Sequence, residues 1–182
     1  FFLMQSLGFR VIDCNIYLTK KNISTRFLKK ENDDEVRWAE KDDEDSVRWV
    51  AKQSFQQNRF HRDPKISNEI ADSIKEKWAG NFFSGNRGDR MAVVEKNSQI
   101  VAFLLLASNE KDFLLIDLIA VLPEYRGMGI ATRMIEFSIK TFNVSSTEIS
   151  VGTSIGNQSA INMYQKLGFK MVSSKYILHL HT

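Results

Sequence analysis

The chain has 182 residues, 43% of them hydrophobic, enough for one well-filled core and a small additional piece. Its 25 Lys and Arg and 22 Asp and Glu are interspersed and leave a formal charge of +3; that mild excess suits an anionic small molecule, and no basic cluster interleaved with aromatics marks a nucleic-acid surface. A single cysteine, Cys14, excludes an intrachain disulfide and a Cys-rich zinc site.

The longest uninterrupted apolar run, residues 100–107, is far too short to span a bilayer. The opening residues lack the basic flank of a signal peptide. The expectation is a cytoplasmic protein with a small-molecule substrate and no metal, and with neither membrane nor nucleic acid as a partner.

Near the start, Met4-Gln5-Ser6-Leu7-Gly8-Phe9-Arg10 parallels Tyr164-Gln165-Lys166-Leu167-Gly168-Phe169-Lys170 near the end. Both read as a helix end, a glycine C-cap and a following strand. Residues 20–34 are polar and read as a linker. A strand is expected at 35–39 and a helix at 42–55 with acidic residues in its first turn. The loop 58–64 follows, then a helix at 66–82 whose stripe Ile66, Ile70, Ile74 and Trp78 points to a core role for Trp78 over a ligand role.

Strands at 91–95 and 100–107 are joined by the hairpin 96–99. A strand at 113–121 leads to a helix at 127–142, then a strand at 148–151 and a helix at 158–166. Two short strands, 170–173 and 176–180, close the chain. The last of these offers a surface for pairing across a homodimer.

The organising stretch is IDLIAVLPEYRGMGIATRM, residues 116–134. Ile116, Leu118, Ile119, Val121 and Leu122 form a nearly continuous apolar run, which predicts a strand covered on both faces. Ile130, Met134, Ile135 and Ile139 then recur at roughly helical spacing, so a helix starts near Gly127. Gly127 and Gly129 carry no side chains, so an anion can approach the free N–H groups at the positive end of that helix. By chemistry alone, a phosphate cradle and a plain glycine-rich connection stand level.

The spacing Arg126-x-x-Gly129-x-Ala131 after a strand ending in Val-Leu-Pro closely resembles the acetyl-CoA pyrophosphate loop of the GNAT superfamily of N-acetyltransferases. The resemblance implies an α/β fold (α+β by some schemes) with a mixed central β-sheet flanked by helices, spanning residues 31–182. It also implies an enzyme, an acyltransferase, with acetyl-CoA as cosubstrate. Residues 1–30 then read either as the tail of an N-terminal domain of the same kind plus linker, or as an accessory strand packed onto the main sheet.

Transfer of an acetyl group from a thioester to an amine requires phosphate binding, a polarised carbonyl, a neutral amine and a stabilised thiolate. The resemblance assigns cofactor binding to the backbone of Arg126, Gly127, Met128, Gly129, Ile130, Ala131 and Thr132, with the Arg126 side chain as an added charge. It assigns main-chain groups of Ile119, Ala120 and Val121 to the pantetheine arm, where two parallel strands are expected to splay. Asn157 resembles the asparagine that bonds that arm, and it also suits a helix N-cap.

Tyr164 is the candidate general acid; the alternative is a half-buried tyrosine anchoring its helix. Asp117, the one acid inside the central strand, is the candidate base or a hydrogen-bonded structural residue. For the acceptor, Arg59 and Arg62 of the loop RFHRDP offer bidentate donors to a diphosphate. His61 beside them reads more readily as a hydrogen-bonding residue than as a catalyst.

RFHRDP, the segment VGTSIGNQSAINMYQKLGF and the LGF-strand at the front together resemble the branch that acetylates nucleotide-linked amino sugars, of the dTDP-fucosamine type. Two other readings stand beside it: acetylation of protein, peptide or small-amine acceptors, and a non-catalytic acetyl-CoA-binding module.

Overall fold

A computed structural model describes residues 2–21, 36–55, 58–109, 113–141 and 148–181. The polar connection after Lys21 and the expected boundary near residue 30 lie outside the described residues.

The chain begins with a short helix, α1 (Phe2–Ser6), and a strand, β1 (Arg10–Lys21). Next come β2 (Val36–Trp38), a 3-10 turn at Lys41–Asp43, α2 (Glu44–Ser54) and α3 (Asn68–Gly80). Three antiparallel strands follow, β3 (Arg90–Lys96), β4 (Gln99–Asn109) and β5 (Phe113–Val121). Then come α4 (Ile130–Thr141), β6 (Glu148–Ser154), α5 (Gln158–Lys166) and β7 (Lys170–His179).

Among the described residues, seven strands form one sheet in the order β2-β3-β4-β5-β6-β1-β7. The pair β5–β6 is parallel and every other pair is antiparallel. β4 touches both α2 and α4 and is buried from Val101 to Leu106, so both of its faces are covered. This is the mixed α/β sheet flanked by helices that the motif resemblance implies. The hairpin forms where expected: Lys96 pairs with Gln99, and Asn97 and Ser98 take φ of 51° and 61°, as a tight two-residue turn demands.

Three local expectations are corrected. β5 is not buried along its length: Leu114, Ile116, Leu118 and Ala120 are buried, but the residues between them are half-exposed. The alternation starts at Phe113, where β5 is still paired with β6, and continues beyond the pairing, as on a strand with one face covered more fully than the other. The following helix starts at Ile130, because Gly127 and Gly129 hold φ of +78° and +74° and cannot be helical.

The two short closing strands are one strand, β7. Its polar middle, Ser173-Ser174-Lys175, pairs with Tyr17, Ile16 and Asn15 of β1. An edge strand exposed on its outer side tolerates such residues without a break.

The repeat seen in the sequence has the same geometry twice. Gly8 N–H donates to the Gln5 carbonyl and Phe9 N–H to Met4, just as Gly168 donates to Gln165 and Phe169 to Tyr164. Both glycines are left-handed, with φ of +89° and +85°, completing a Schellman stop in each case. The strands that follow lie side by side in opposite directions. Arg10 pairs with His179 and Thr19 with Lys170, so a local two-fold axis relates β1 to β7.

Candidate active site

The parallel strands β5 and β6 part after Ile116 and Val151. Beyond that point β6 continues against β1, while β5 keeps only β4 as a partner. The edge of β5 from Asp117 to Val121 is therefore open on the side facing β6. Ile119, Ala120 and Val121 lie on this edge. The splay also coincides with a bulge: Leu105 and Leu106 of β4 are adjacent, but their partners on β5 are Leu118 and Ile116, which leaves Asp117 as the extra residue. A bulge redirects a side chain and increases local twist, a feature common beside active sites.

At the end of β5, Leu122-Pro123 opens a 3-10 turn, and the chain enters α4 through Arg126-Gly127-Met128-Gly129. The first N–H to find an acceptor after Arg126 is that of Arg133, on the Gly129 carbonyl. The amides from Gly127 to Thr132 donate to no described carbonyl, and together they crown the positive end of a 12-residue helix. A Cβ placed on Gly127 would meet nothing within 4 Å, and one on Gly129 would meet only Arg133 Nη1 at 3.5 Å. Such an open cradle of amides fits a pyrophosphate.

The Arg126 guanidinium does not hang free over this cradle. Its Nε donates to the Val121 carbonyl at 3.1 Å and its Nη2 to the Ser54 carbonyl at 3.0 Å. It thus ties the loop to the end of β5 and to the last turn of α2, where carbonyls carry the negative end of the helix dipole.

Asn157 caps α5, its side-chain oxygen accepting from Ala160 N–H at 3.3 Å and from the Ser159 hydroxyl at 3.1 Å, while its amide donates to Thr153. Tyr164 is 1% exposed, with its ring 5.3 Å from that of Phe169. Burial raises its pKa well above the ordinary phenol value, so it stays protonated.

The remaining candidates do not gather into one cluster. Arg62 pairs with buried Asp13 of β1 at 2.7 Å and donates to the Ser154 hydroxyl at the end of β6. His61 bonds Asp72 of α3 at 2.8 Å. Arg59 alone of the three faces a cluster of a different kind. Its guanidinium lies over Phe60, 4.7 Å away, and over Trp78, 5.8 Å away. Trp78 packs against the core and also carries Lys75 at 4.2 Å and Arg87 at 4.5 Å.

Arg87 in turn holds Asp117 at the bulge, donating to both carboxylate oxygens at 2.6 and 2.9 Å. Burial, then the repulsion of Arg59 and Arg87, lowers the Lys75 ammonium to about 8 against the pull of Asp117. Three cations thus surround one indole beside the mouth of the splay. Lys75 and Arg87 escaped the sequence reading because they sit 42 and 30 residues from the bulge and carry no motif; Trp78, three positions after Lys75 on the helix stripe, was the available signal.

Residues 21–169 match the acetyltransferase (GNAT) family. Over 130 residues the chain is 28% identical to the spore coat polysaccharide biosynthesis protein SpsD of Bacillus subtilis, covering 71% of this chain and 44% of that protein. It is 45% identical over 56 residues to an N-alpha-acetyltransferase of Saccharolobus solfataricus, covering 30% of this chain and 34% of that one. The chain therefore spans less than half the length of these relatives.

Among solved structures, the fold matches the PaiA N-acetyltransferase of Thermoplasma acidophilum in complex with coenzyme A. The TM-score is 0.60 at 17% identity, over 79% of this chain and 98% of that one. A GNAT acetyltransferase from Novosphingobium aromaticivorans matches with a TM-score of 0.66 at 18% identity, over 96% of this chain and 69% of that one. With the sheet, the splay and the amide cradle in agreement, the chain belongs to the acetyltransferase (GNAT) family.

Proposed function

We propose that the protein transfers the acetyl group of acetyl-CoA to a primary amine on an anionic acceptor, a nucleotide-linked amino sugar. The observation that carries this reading is the group Arg59, Lys75 and Arg87 around Trp78, next to the bulge at Asp117. A diphosphate would meet the combined positive charge of these three side chains there. A polyamine acceptor would be repelled by the same three charges. Similarity to a polysaccharide biosynthesis protein supports the sugar class.

In this mechanism the amides from Gly127 to Thr132 hold the pyrophosphate, and Arg126 keeps their loop fixed to β5 and α2. The open main-chain edge of β5 at Ile119 and Ala120 takes the pantetheine arm as a strand takes a neighbour. A bound acetyl-CoA supplies the activated acyl carbon. The amine nitrogen forms the new C–N bond, the C–S bond breaks, and the nitrogen's proton passes to water. Tyr164 Oη donates a proton to the departing thiolate and is reprotonated from the solvent that took up the amine's proton. Asp117, with both oxygens on Arg87, is a positioning residue that aims the cation cluster.

A thermal-shift and turnover screen tests this reading, with acetyl-CoA alone, then with dTDP- and UDP-linked 4-amino sugars, peptides with free N-termini, and polyamines. Stabilisation by acetyl-CoA and acetylation of a nucleotide sugar are expected. Turnover of peptides with nucleotide sugars untouched would transfer the protein to the N-terminal acetyltransferase class. Binding without any turnover would leave a cofactor-binding module.

A further inference from the structure

Outside the acetyltransfer cleft, two of the chain's three histidines converge on one buried carboxylate. Asp63, at the end of the 58–64 loop, is 2% exposed. His179, the last residue of β7, places Nδ1 at 2.5 Å from Asp63 Oδ2. His181, two positions on, places Nε2 at 2.7 Å from the same oxygen. Residues two apart on an extended chain project to the same side, which is how both rings reach one atom. The other oxygen, Oδ1, accepts the N–H of Lys65 at 3.0 Å.

We propose that Asp63, His179 and His181 form a binding site for a borderline divalent transition-metal ion, with Zn2+ the best fit to the donor set. One donor atom from each residue lies within 4.8 Å of the other two. Two imidazole nitrogens and one carboxylate oxygen are the ligands such ions choose, and three protein ligands leave a fourth tetrahedral position for water.

The carboxylate already gathers two imidazole nitrogens on one oxygen. Each imidazole must present a lone pair where it now presents an N–H, so its proton moves to the outer ring nitrogen. The Lys65 amide stays on Oδ1 and orients the carboxylate, as supporting bonds do around bound metals.

The ion clasps the loop to the end of β7. His179 also lies against Phe60, 6.2 Å between ring centroids, and Phe60 packs on Trp78. The clasp thus stiffens the wall that carries Arg59. It rests on geometry outside the acetyltransferase reading and stands or falls independently of it.

The test uses the whole chain, stripped with a chelator and titrated with Zn2+ by calorimetry and with Co2+ by visible absorption at pH 7.5. One equivalent should bind, with Co2+ giving an intense tetrahedral d–d band. His181→Gln, beyond the last strand pair, should weaken binding at least about tenfold and abolish the band. His61→Gln, at the histidine that bonds Asp72 instead, should leave both unchanged. Failure of the wild-type chain to bind, or binding that survives His181→Gln, overturns the proposal. Circular dichroism confirms that His181→Gln remains folded, and His179→Gln provides a second loss variant.

Discussion

One guanidinium, that of Arg87, occupies both carboxylate oxygens of Asp117, at 2.6 and 2.9 Å. Asp117 is the extra residue of the β5 bulge, and Arg87 lies over the Trp78 ring. The pair therefore couples the point where the central strands part to the cation cluster beside it. Lone pairs already committed to two charge-assisted bonds are poorly placed to take a proton from an incoming amine.

Asp117→Asn separates a positioning role from a base role. As a positioning residue, its loss should raise KM for the anionic acceptor about tenfold, the cost of a weakened charge-assisted bond, with little change in kcat. The pH–rate profile should keep its shape. A general base would instead lower kcat by roughly 100-fold or more and remove a limb of the profile. Steady-state kinetics from pH 6 to 9 decide between them.

Tyr164→Phe keeps the ring packed against Phe169 and removes only the hydroxyl. The melting temperature should move little and acetyl-CoA affinity should hold, while kcat drops by about 100-fold. Calorimetry with coenzyme A alongside a thiol-release assay measures both. Unchanged turnover would remove Tyr164 from the proton path.

Lys75 makes stability depend on pH in alkali. Its folded value is about 8, against an unfolded value near 10.5. Between these values the unfolded chain binds more protons than the folded one, so stability rises as pH increases from 8 to 10.5. Below pH 8 the full penalty of a buried ammonium applies. Lys75→Met should flatten that slope, raise the urea midpoint at pH 7 and weaken nucleotide binding. Equilibrium unfolding at several pH values gives the comparison.

Two glycines should differ in cost for a physical reason. Gly127→Ala adds a methyl in open space, so its penalty is the left-handed backbone alone, about 1–2 kcal/mol. Gly88→Ala adds the same strain and also a clash, with the new Cβ 2.9 Å from the Leu106 carbonyl and 2.5 Å from Leu105 Cδ1. Chemical denaturation should rank Gly88→Ala as the more destabilising. Only Gly127→Ala should weaken acetyl-CoA binding beyond its effect on stability.

Local chemistry made much of this protein legible in its residues. The Arg126-to-Ala131 spacing, the Lys96-to-Gln99 turn and the doubled Leu-Gly-Phe stop each depend on backbone geometry that a few consecutive residues dictate. From them followed the family, the glycine-bearing entry into α4 and most elements of the sheet. Tertiary structure alone decided what depends on partners far apart in the chain. It inserted β1 between β6 and β7, turned Arg62 onto Asp13, and clasped Asp117 with Arg87. It likewise gathered Arg59, Lys75 and Arg87 around Trp78 and brought two C-terminal histidines onto Asp63. A charged side chain has no periodic signature of its own; its role is set by whichever opposite charge or ring the folded sheet places within a few ångströms.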